Sequence, residues 1–198
     1  MTHSLSVIVH KVEGLKDVEH LGKNDPYVQI TFNYDDKASF KKTTVKKNAG
    51  RHAEWDETLI LPSYTQNVQH YLYVEVFDND LGVDPPIAFA SIPLNQIPSA
   101  PGQPFRGRFP LYTTSGKEKG SISLTLVTFA SGQAVPNVSA PEVPGRSEID
   151  AKHHKRIEGL KKLEKASDLA TAAAAVGATV GIKAVHDARS KPEVPKEL

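Results

Sequence analysis

At 198 residues, with 24 basic and 23 acidic side chains, the chain has no overall charge that favours nucleic acid or an acidic partner. It contains no cysteine, which excludes disulfides, thiolate metal sites and cysteine catalysis and is typical of a reducing compartment. The first residues lack the long apolar region of a secretory signal, and no uninterrupted apolar run reaches the ~20 residues of a membrane span. The sequence therefore predicts a cytoplasmic protein with one domain and an appendage.

Short apolar segments separated by turn-forming residues fill the first two thirds of the chain. In the first segment, Leu5, Val7 and Val9 form one apolar face, as in a half-buried strand. Eight such segments occur before about residue 130, and this pattern is typical of a β-sandwich. We therefore predict an all-β domain over residues 1–130, folded as an eight-stranded antiparallel β-sandwich.

The composition changes after residue 130. Prolines at 136, 141 and 144 predict an extended linker over residues 131–146. The serine at 147 starts a Ser-Glu-Ile-Asp segment that resembles a capping box, so a helical extension is predicted over residues 147–189. The proline-containing residues 190–198 are predicted to be a disordered tail.

The predicted helical extension is basic in its first half and uncharged in its second. Cations flank an apolar arc, as in helices that lie in a membrane interface, although packing onto the sandwich or onto a second copy explains the arc equally well. The uncharged residues 169–182 are too few for a straight membrane span, and their Gly177-x-x-x-Gly181 spacing favours close helix contact. The basic residues are Lys152, Lys155, Arg156, Lys161, Lys162 and Lys165.

Three carboxylates follow one predicted strand closely. Asp78, Asp80 and Asp84 repel one another unless a cation neutralises them, and calcium prefers clusters of oxygen ligands on flexible loops. A second acidic loop, from Asp17 to Asp25, is able to complete the set. The alternative explanation is a solvated acidic turn.

Four segments of the chain together resemble the C2 domain, a calcium- and lipid-binding β-sandwich. They occur in the order of the family, and the resemblance covers about residues 3–130. The order of the strands around the first segment is similar to the permuted, type II topology. The four segments are Lys23-Asn24-Asp25-Pro26-Tyr27-Val28, Lys42-Thr43-Thr44-Val45, Glu54-Trp55-Asp56-Glu57 and Val76-Phe77-Asp78-Asn79-Asp80.

The resemblance implies a calcium site. In C2 domains, acids from two loops at one end of the sandwich bind calcium ions. Asp25, Asp78 and Asp80 match ligand positions, Glu19 stands where the family usually has Asp, and Asp84 matches the last ligand. Glu19 is longer than Asp, and the loop from Asp78 to Asp84 is short. Both departures concern the calcium affinity and not the fold. The alternative is a sandwich of this fold without tight metal binding.

The resemblance also implies how such a site would bind membranes. Five carboxylates repel anionic lipid, whereas bound calcium reverses the local charge and leaves coordination positions for phosphate oxygens. The residues at the loop tips, Leu21, Leu81 and Val83, are predicted to enter the interfacial layer, each contributing about 1–2 kcal/mol.

Lysines near the third predicted strand form a second candidate lipid site. In C2 domains, lysines on this strand bind phosphoinositide head groups, and lysines near an anionic surface contribute about 1 kcal/mol each. The candidates are Lys37, Lys41, Lys42 and Lys46, with Lys47 following. Strand alternation predicts Lys42 and Lys46 on one face and Lys41 and Lys47 on the other. A solubilising sheet edge is the alternative.

No pattern in the sequence favours catalysis, since its eight histidines form no metal-ligand spacing and no phosphate-binding glycine loop or nucleophile elbow occurs. We therefore predict a binding protein and not an enzyme. One hypothesis is a calcium-dependent peripheral adaptor that binds anionic phospholipid, with protein partners or self-association through the C-terminal helices. The other is a calcium-independent interaction or scaffold protein.

Overall fold

The computed structural model describes residues 3–18, 22–167 and 169. In this part of the chain, an α-helix, α1, spans residues 151–167, and short 3-10 turns occur at Lys37–Ser39 and Leu94–Gln96. The strands are β1 His3–Glu13, β2 Pro26–Thr31, β3 Lys41–Lys42, β4 Ala53–Tyr64, β5 Tyr71–Asp78, β6 Pro86–Pro93, β7 Phe105–Thr113, β8 Glu118–Ala130 and β9 Val143–Pro144.

Eight of these strands form the sandwich. Neighbouring strands are antiparallel in the order β3-β2-β5-β6-β7-β8-β1-β4, so the last strand of the sandwich, β8, lies beside the first. The two-residue strand β9 adds to β7 in the parallel direction. The predicted fold, an eight-stranded antiparallel β-sandwich followed by a helix, is confirmed.

The core follows the alternation that the sequence shows in β1. Leu5, Val7 and Val9 are fully buried, and the next buried position is Val12. The step of three residues from Val9 to Val12 coincides with an irregularity in the register between Val9 and Lys11. A β-bulge of this kind inserts one residue and returns the following side chain to the core face.

The strand register brings three loops to one end of the sandwich. Pro26, which starts β2, pairs with Asp78, which ends β5, and Glu13, which ends β1, pairs with Ser121 near the start of β8. Residues 14–18 and 22–25 of the first loop therefore lie at the same end as the loops over residues 79–85 and 114–117. We call this the carboxylate end.

The segment predicted as a linker lies along the sandwich. In β9, Val143 pairs with Gly107, and the Gly145 N–H donates to the Arg108 carbonyl at 2.9 Å. The Glu142 carboxylate lies 2.8 Å from the Arg108 guanidinium and accepts a hydrogen bond from the Ser123 hydroxyl. The extended chain thus carries residues 142–145 along β7 to the start of α1.

Helix α1 begins at residue 151, four residues after the predicted start. Glu148 is held extended by backbone hydrogen bonds to Ser91 in both directions, so it cannot join the helix. The Ser147 hydroxyl donates to the Pro110 carbonyl instead of capping the helix. The cap is Asp150, whose Oδ1 accepts the His153 N–H at 2.8 Å, which satisfies one of the free donors of the first turn.

A buried carboxylate joins α1 to the outer face of the sheet. Glu75 of β5 and His153 of α1 are both 0 % exposed. Glu75 Oε1 accepts from His153 Nε2 at 3.1 Å and from Arg156 Nε at 3.0 Å, and its Oε2 accepts from Gln29 Nε2 at 2.5 Å. Because each carboxylate oxygen has partners, the buried charge is compensated.

Aromatic rings complete this contact. The His153 ring stacks on Tyr34 with ring centroids 5.3 Å apart and meets the edge or face of Tyr73 and Phe89 at 4.9 and 5.2 Å. Ile157, one turn further on, is also fully buried. Of the alternatives considered for this helix, its described part therefore packs on the sandwich.

The uncharged stretch at 169–182, apart from residue 169, and the tail at 190–198 lie outside the described residues, so their predicted roles stay predictions. Among the residues that are described, no helix is long and apolar enough to cross a membrane.

We predict that Glu75→Ala lowers the free energy of unfolding by about 2–4 kcal/mol, because it leaves a buried histidine, an arginine and an amide without their acceptor. Urea unfolding of the full chain measures the change. Glu54→Ala is the matched control, since Glu54 is exposed on β4 and its loss should cost less than about 0.5 kcal/mol. Similar losses for both variants would show that the buried pair does not stabilise the fold.

The free energy of unfolding should also depend on pH, because Glu75 is ionised in the folded protein. Burial alone raises the pKa of Glu75, but hydrogen bonds from His153, Arg156 and Gln29 and the charge of Arg156 outweigh it and hold the pKa below its ordinary value of 4.5. The stabilisation is therefore present above the ordinary pKa and is lost as the pH falls through the lowered one. The difference in urea midpoint between the wild type and Glu75→Gln should narrow below about pH 5. A constant difference down to about pH 3 would contradict this assignment.

Candidate functional site

The carboxylate end is organised around Asp78, the last residue of β5. Its side chain is fully buried, and its Oδ1 accepts the Asp25 backbone N–H at 2.6 Å. In return, the Asn79 N–H donates to the Asp25 carbonyl at 3.1 Å. The two acidic loops are therefore joined side by side through one carboxylate and one backbone hydrogen bond.

Asp25 is paired with donors from the turn between β3 and β4. Its Oδ1 accepts the Asn48 N–H at 2.5 Å, and its Oδ2 lies 2.9 Å from Lys47 Nζ. The same ammonium lies 2.9 Å from Asn79 Oδ1. The Asn48 hydrogen bond, aided by Lys47 and opposed by partial burial, lowers the pKa of Asp25 below its ordinary value. Asp25 is therefore ionised at neutral pH.

Asp84 and Asp80 belong to the loop between β5 and β6. Asp84 Oδ2 accepts the Tyr27 hydroxyl at 2.8 Å, and its Oδ1 accepts the Asp80 N–H at 3.1 Å. Burial and the Asp84 carboxylate raise the pKa of Tyr27, so this phenol remains a donor. Asp80 is exposed, and its Oδ1 accepts the Leu81 N–H at 2.6 Å.

The chemistry of these donors suits a hard divalent cation. Asp25, Asp78, Asp80 and Asp84 supply carboxylate oxygens from adjoining loops, and calcium is bound by six to eight such ligands. In the arrangement seen, no group of three or more His, Asp or Glu side chains in residues 3–18, 22–167 and 169 converges as a metal cage. The fifth predicted ligand, Glu19, lies outside the described residues. The donors are of the chemical kind that calcium prefers, but their described arrangement is not a cage and Lys47 pairs with one of them, Asp25.

Several organising residues were not singled out as parts of the site by the sequence. Asn24 is fully buried, donates to the carbonyls of Lys16 and Gly50, and accepts the Val18 N–H. It thereby joins residues 16–18 of the first loop to the turn at Gly50, and its only sequence signal is its place before Asp25 in the Asn-Asp-Pro-Tyr segment. Lys47 was grouped with the strand lysines, because strand alternation gives no sign that it turns toward Asp25.

The predicted lysine site is spread along the sheet edge. Lys41 and Lys42 are exposed on β3, and Lys42 Nζ lies 5.2 Å from the centre of the Tyr27 ring. Lys37 is in the turn that follows β2, at the end opposite the carboxylates. Lys46 is beside Pro26 at the carboxylate end, where its N–H donates to the Pro26 carbonyl.

The predicted alternation does not apply to Lys46 and Lys47, because they lie outside the strand. Both line one open cavity of about 700 Å³ beside the carboxylate end. Strand β3 ends at Lys42, so the two-residue period of a strand does not extend to these residues.

The predicted loop-tip residues differ in exposure. Leu81 is fully exposed, whereas Val83 is half-buried. Leu21 lies outside the described residues. A single leucine that projects from an acidic loop has no partner in the described fold, and its side chain is available to an apolar phase.

The model of the C2 domain family matches residues 3–111, which is more than half of the chain. Synaptotagmin-7 of Mus musculus is 28 % identical over 181 residues, covering 84 % of this chain and 44 % of the relative. The Calcium-dependent lipid-binding protein of Arabidopsis thaliana is 34 % identical over 93 residues, covering 47 % of this chain and 17 % of the relative. The chain thus spans less than half the length of these two relatives.

The fold also matches a solved structure. A single C2 domain of a plant Extended Synaptotagmin 1 superimposes with a TM-score of 0.57 at 24 % identity, covering 67 % of this chain and 98 % of that domain. At this identity the match concerns the fold. About one third of this chain lies outside the match.

We predict that Lys47→Gln raises calcium affinity. The Lys47 ammonium would compete with a bound metal ion for Asp25, and because the lysine side chain is 63 % exposed, its pairing is worth about 0.2–1 kcal/mol. The dissociation constant for calcium should fall by up to roughly fivefold in a calorimetric titration.

Lys46→Gln is the matched control for this titration. It removes the same charge from the neighbouring position, and Lys46 makes no ion pair with Asp25 among the described residues. Equal effects of the two variants would mean that net charge, and not the contact with Asp25, sets the affinity.

Proposed function

Because the chain belongs to the C2 domain family, we propose that it is a peripheral membrane-binding module, and not an enzyme, whose carboxylate end binds calcium ions and then anionic phospholipid. The observation that carries the proposal is the hydrogen bond between the Asp78 carboxylate and the Asp25 amide, which keeps the acids of two loops side by side. The name of the Arabidopsis relative, a calcium-dependent lipid-binding protein, agrees with this activity.

The residues that would hold calcium are Asp25, Asp78, Asp80 and Asp84, with Glu19 as a further candidate. When bound, calcium neutralises these carboxylates and offers coordination positions to lipid phosphate oxygens. Without it, the carboxylates repel an anionic surface.

The remaining parts of the proposal concern lipid contacts and location. Leu81, fully exposed between the acids, contributes apolar contact of about 1–2 kcal/mol with the interfacial layer. Lys41 and Lys42 are exposed and are the strand lysines best placed for a phosphoinositide head group. A protein of this kind works in the cytoplasm and at the membrane surface facing it.

A second candidate function is a calcium-independent interaction module. The position of Lys47 Nζ, 2.9 Å from both Asp25 Oδ2 and Asn79 Oδ1, favours it, because an internal cation already joins the two loops. In this case the loops are stable without metal, and the sandwich with its docked helix serves as a recognition surface for proteins.

Thermal unfolding with and without calcium separates the two. A ligand that binds only the folded state stabilises it by about 2.7 kcal/mol at a hundredfold excess over Kd, so millimolar calcium should raise the melting temperature by several degrees. Asp78→Asn combined with Asp80→Asn should abolish this rise, because the amide oxygen preserves the acceptor for Asp25 N–H but not the charge.

The matched control is Asp35→Asn combined with Asp36→Asn. Both residues lie in the turn at the opposite end of the sandwich, and the double variant removes the same charge, so the calcium-induced rise should persist. A melting curve of the wild type that does not respond to calcium would instead support the interaction module.

A further inference from the structure

Helix α1 runs toward the carboxylate end. It follows Glu148, which is paired with Ser91 near the far end of β6. One turn into the helix, His154 Nε2 lies 3.0 Å from the carbonyl of Thr114, and Thr114 belongs to the loop between β7 and β8 at the carboxylate end. The later turns of the helix therefore lie beside the loop over residues 114–117, which shares the carboxylate end with the acidic loops.

These later turns form a basic cavity with that loop. The cavity measures about 240 Å³, and three lysines dominate its charge. Lys161 is paired with Glu164 at 3.0 Å, but no ion pair joins Lys162 or Lys165 to a carboxylate within residues 3–18, 22–167 and 169. The lining residues are Thr114, Ser115, Glu158, Lys161, Lys162 and Lys165.

An exposed leucine continues the same face of the helix. Leu169 follows Lys165 by four residues and Lys162 by seven, a spacing that places the three on one side of a helix. Leu169 is 73 % exposed. Lysines beside an exposed leucine on a helix surface are typical of helices that contact anionic bilayers, where the cations meet phosphate and the apolar group enters the interface.

The buried contact of Glu75 with His153 and Arg156 fixes the orientation of this face. Both anchors are on the first two turns of α1, and Ile157 is fully buried after them. Because these contacts hold the first turns of the helix against the sheet, the fold sets the direction of its later turns.

We propose that Lys162, Lys165 and Leu169 form a second membrane contact, which binds the phosphate groups of an anionic bilayer without calcium. This inference rests on the proposed function in one respect, namely that the carboxylate end faces the membrane. The cavity between the lysines and the loop over residues 114–117 receives a lipid phosphate, and Leu169 reaches the interfacial layer. The first contact then depends on calcium and the second does not.

Vesicle sedimentation of the full chain in a calcium chelator tests the proposal. Phosphatidylcholine vesicles with phosphatidylserine should bind the wild type, and vesicles without it should bind much less. Lys162→Gln combined with Lys165→Gln should weaken the binding by about ten- to thirtyfold, as expected for two lysines at an anionic surface. Leu169→Ser should weaken it by several-fold.

Lys152→Gln combined with Lys155→Gln is the matched control, because both lysines are exposed on the same helix but lie near its start, roughly 15 Å away by the rise of a helix. The control should retain nearly all of the binding. Equal loss in both double variants, or no loss in either, would overturn the proposal. So would a Leu169→Ser variant that changes the oligomeric state but not vesicle binding, since a second copy would then cover this face.

Added calcium distinguishes this proposal from the proposed function. In the Lys162→Gln, Lys165→Gln variant, the increase caused by calcium should remain although the binding in chelator is lost. In Asp78→Asn with Asp80→Asn, the reverse should hold. If calcium adds nothing to the wild type while the binding in chelator still depends on Lys162 and Lys165, the calcium function fails and the second contact stands.

Discussion

The hydrogen bond from the Asp25 amide to the buried Asp78 carboxylate is the interaction on which the functional end depends. A fully buried carboxylate is costly unless donors surround it, so the loop that carries Asp25 must stay against the end of β5. The same constraint keeps like charges close together, and their repulsion has to be offset by a cation. Lys47 does this within the chain, and calcium is the proposed alternative.

A second buried carboxylate, Glu75, unites the sandwich with the rest of the chain. Its partners come from β2 and from α1, and removing one of them would leave the buried charge less well compensated. The helix is thus part of the folded unit. Since residues 142–148 are also bonded to the sandwich, the segment that leads into the helix is fixed.

The two buried carboxylates together place opposite charges at one end of the molecule. Asp78 positions the acidic loops there, and Glu75 directs the basic turns of α1 to the loop beside them. On the two proposals, an anionic membrane that the first surface repels would be attracted by the second. On the proposed function, membrane binding is then graded: the lysines supply a calcium-independent part, and the carboxylates decide how much calcium adds.

The sequence alone predicted the sandwich, its helix and the acidic residues, because a strand period of two and the four segments from Lys23 to Asp80 are local features that the fold must preserve. It could not place Lys47 or the lysines of α1, since their positions depend on where β3 ends and on which sheet face the helix covers. The sequence also predicted a helix that starts at Ser147. That start was wrong because no local pattern shows that Glu148 pairs with Ser91. Local periodicity fixes the elements, whereas contacts between residues distant in the chain fix which charges meet.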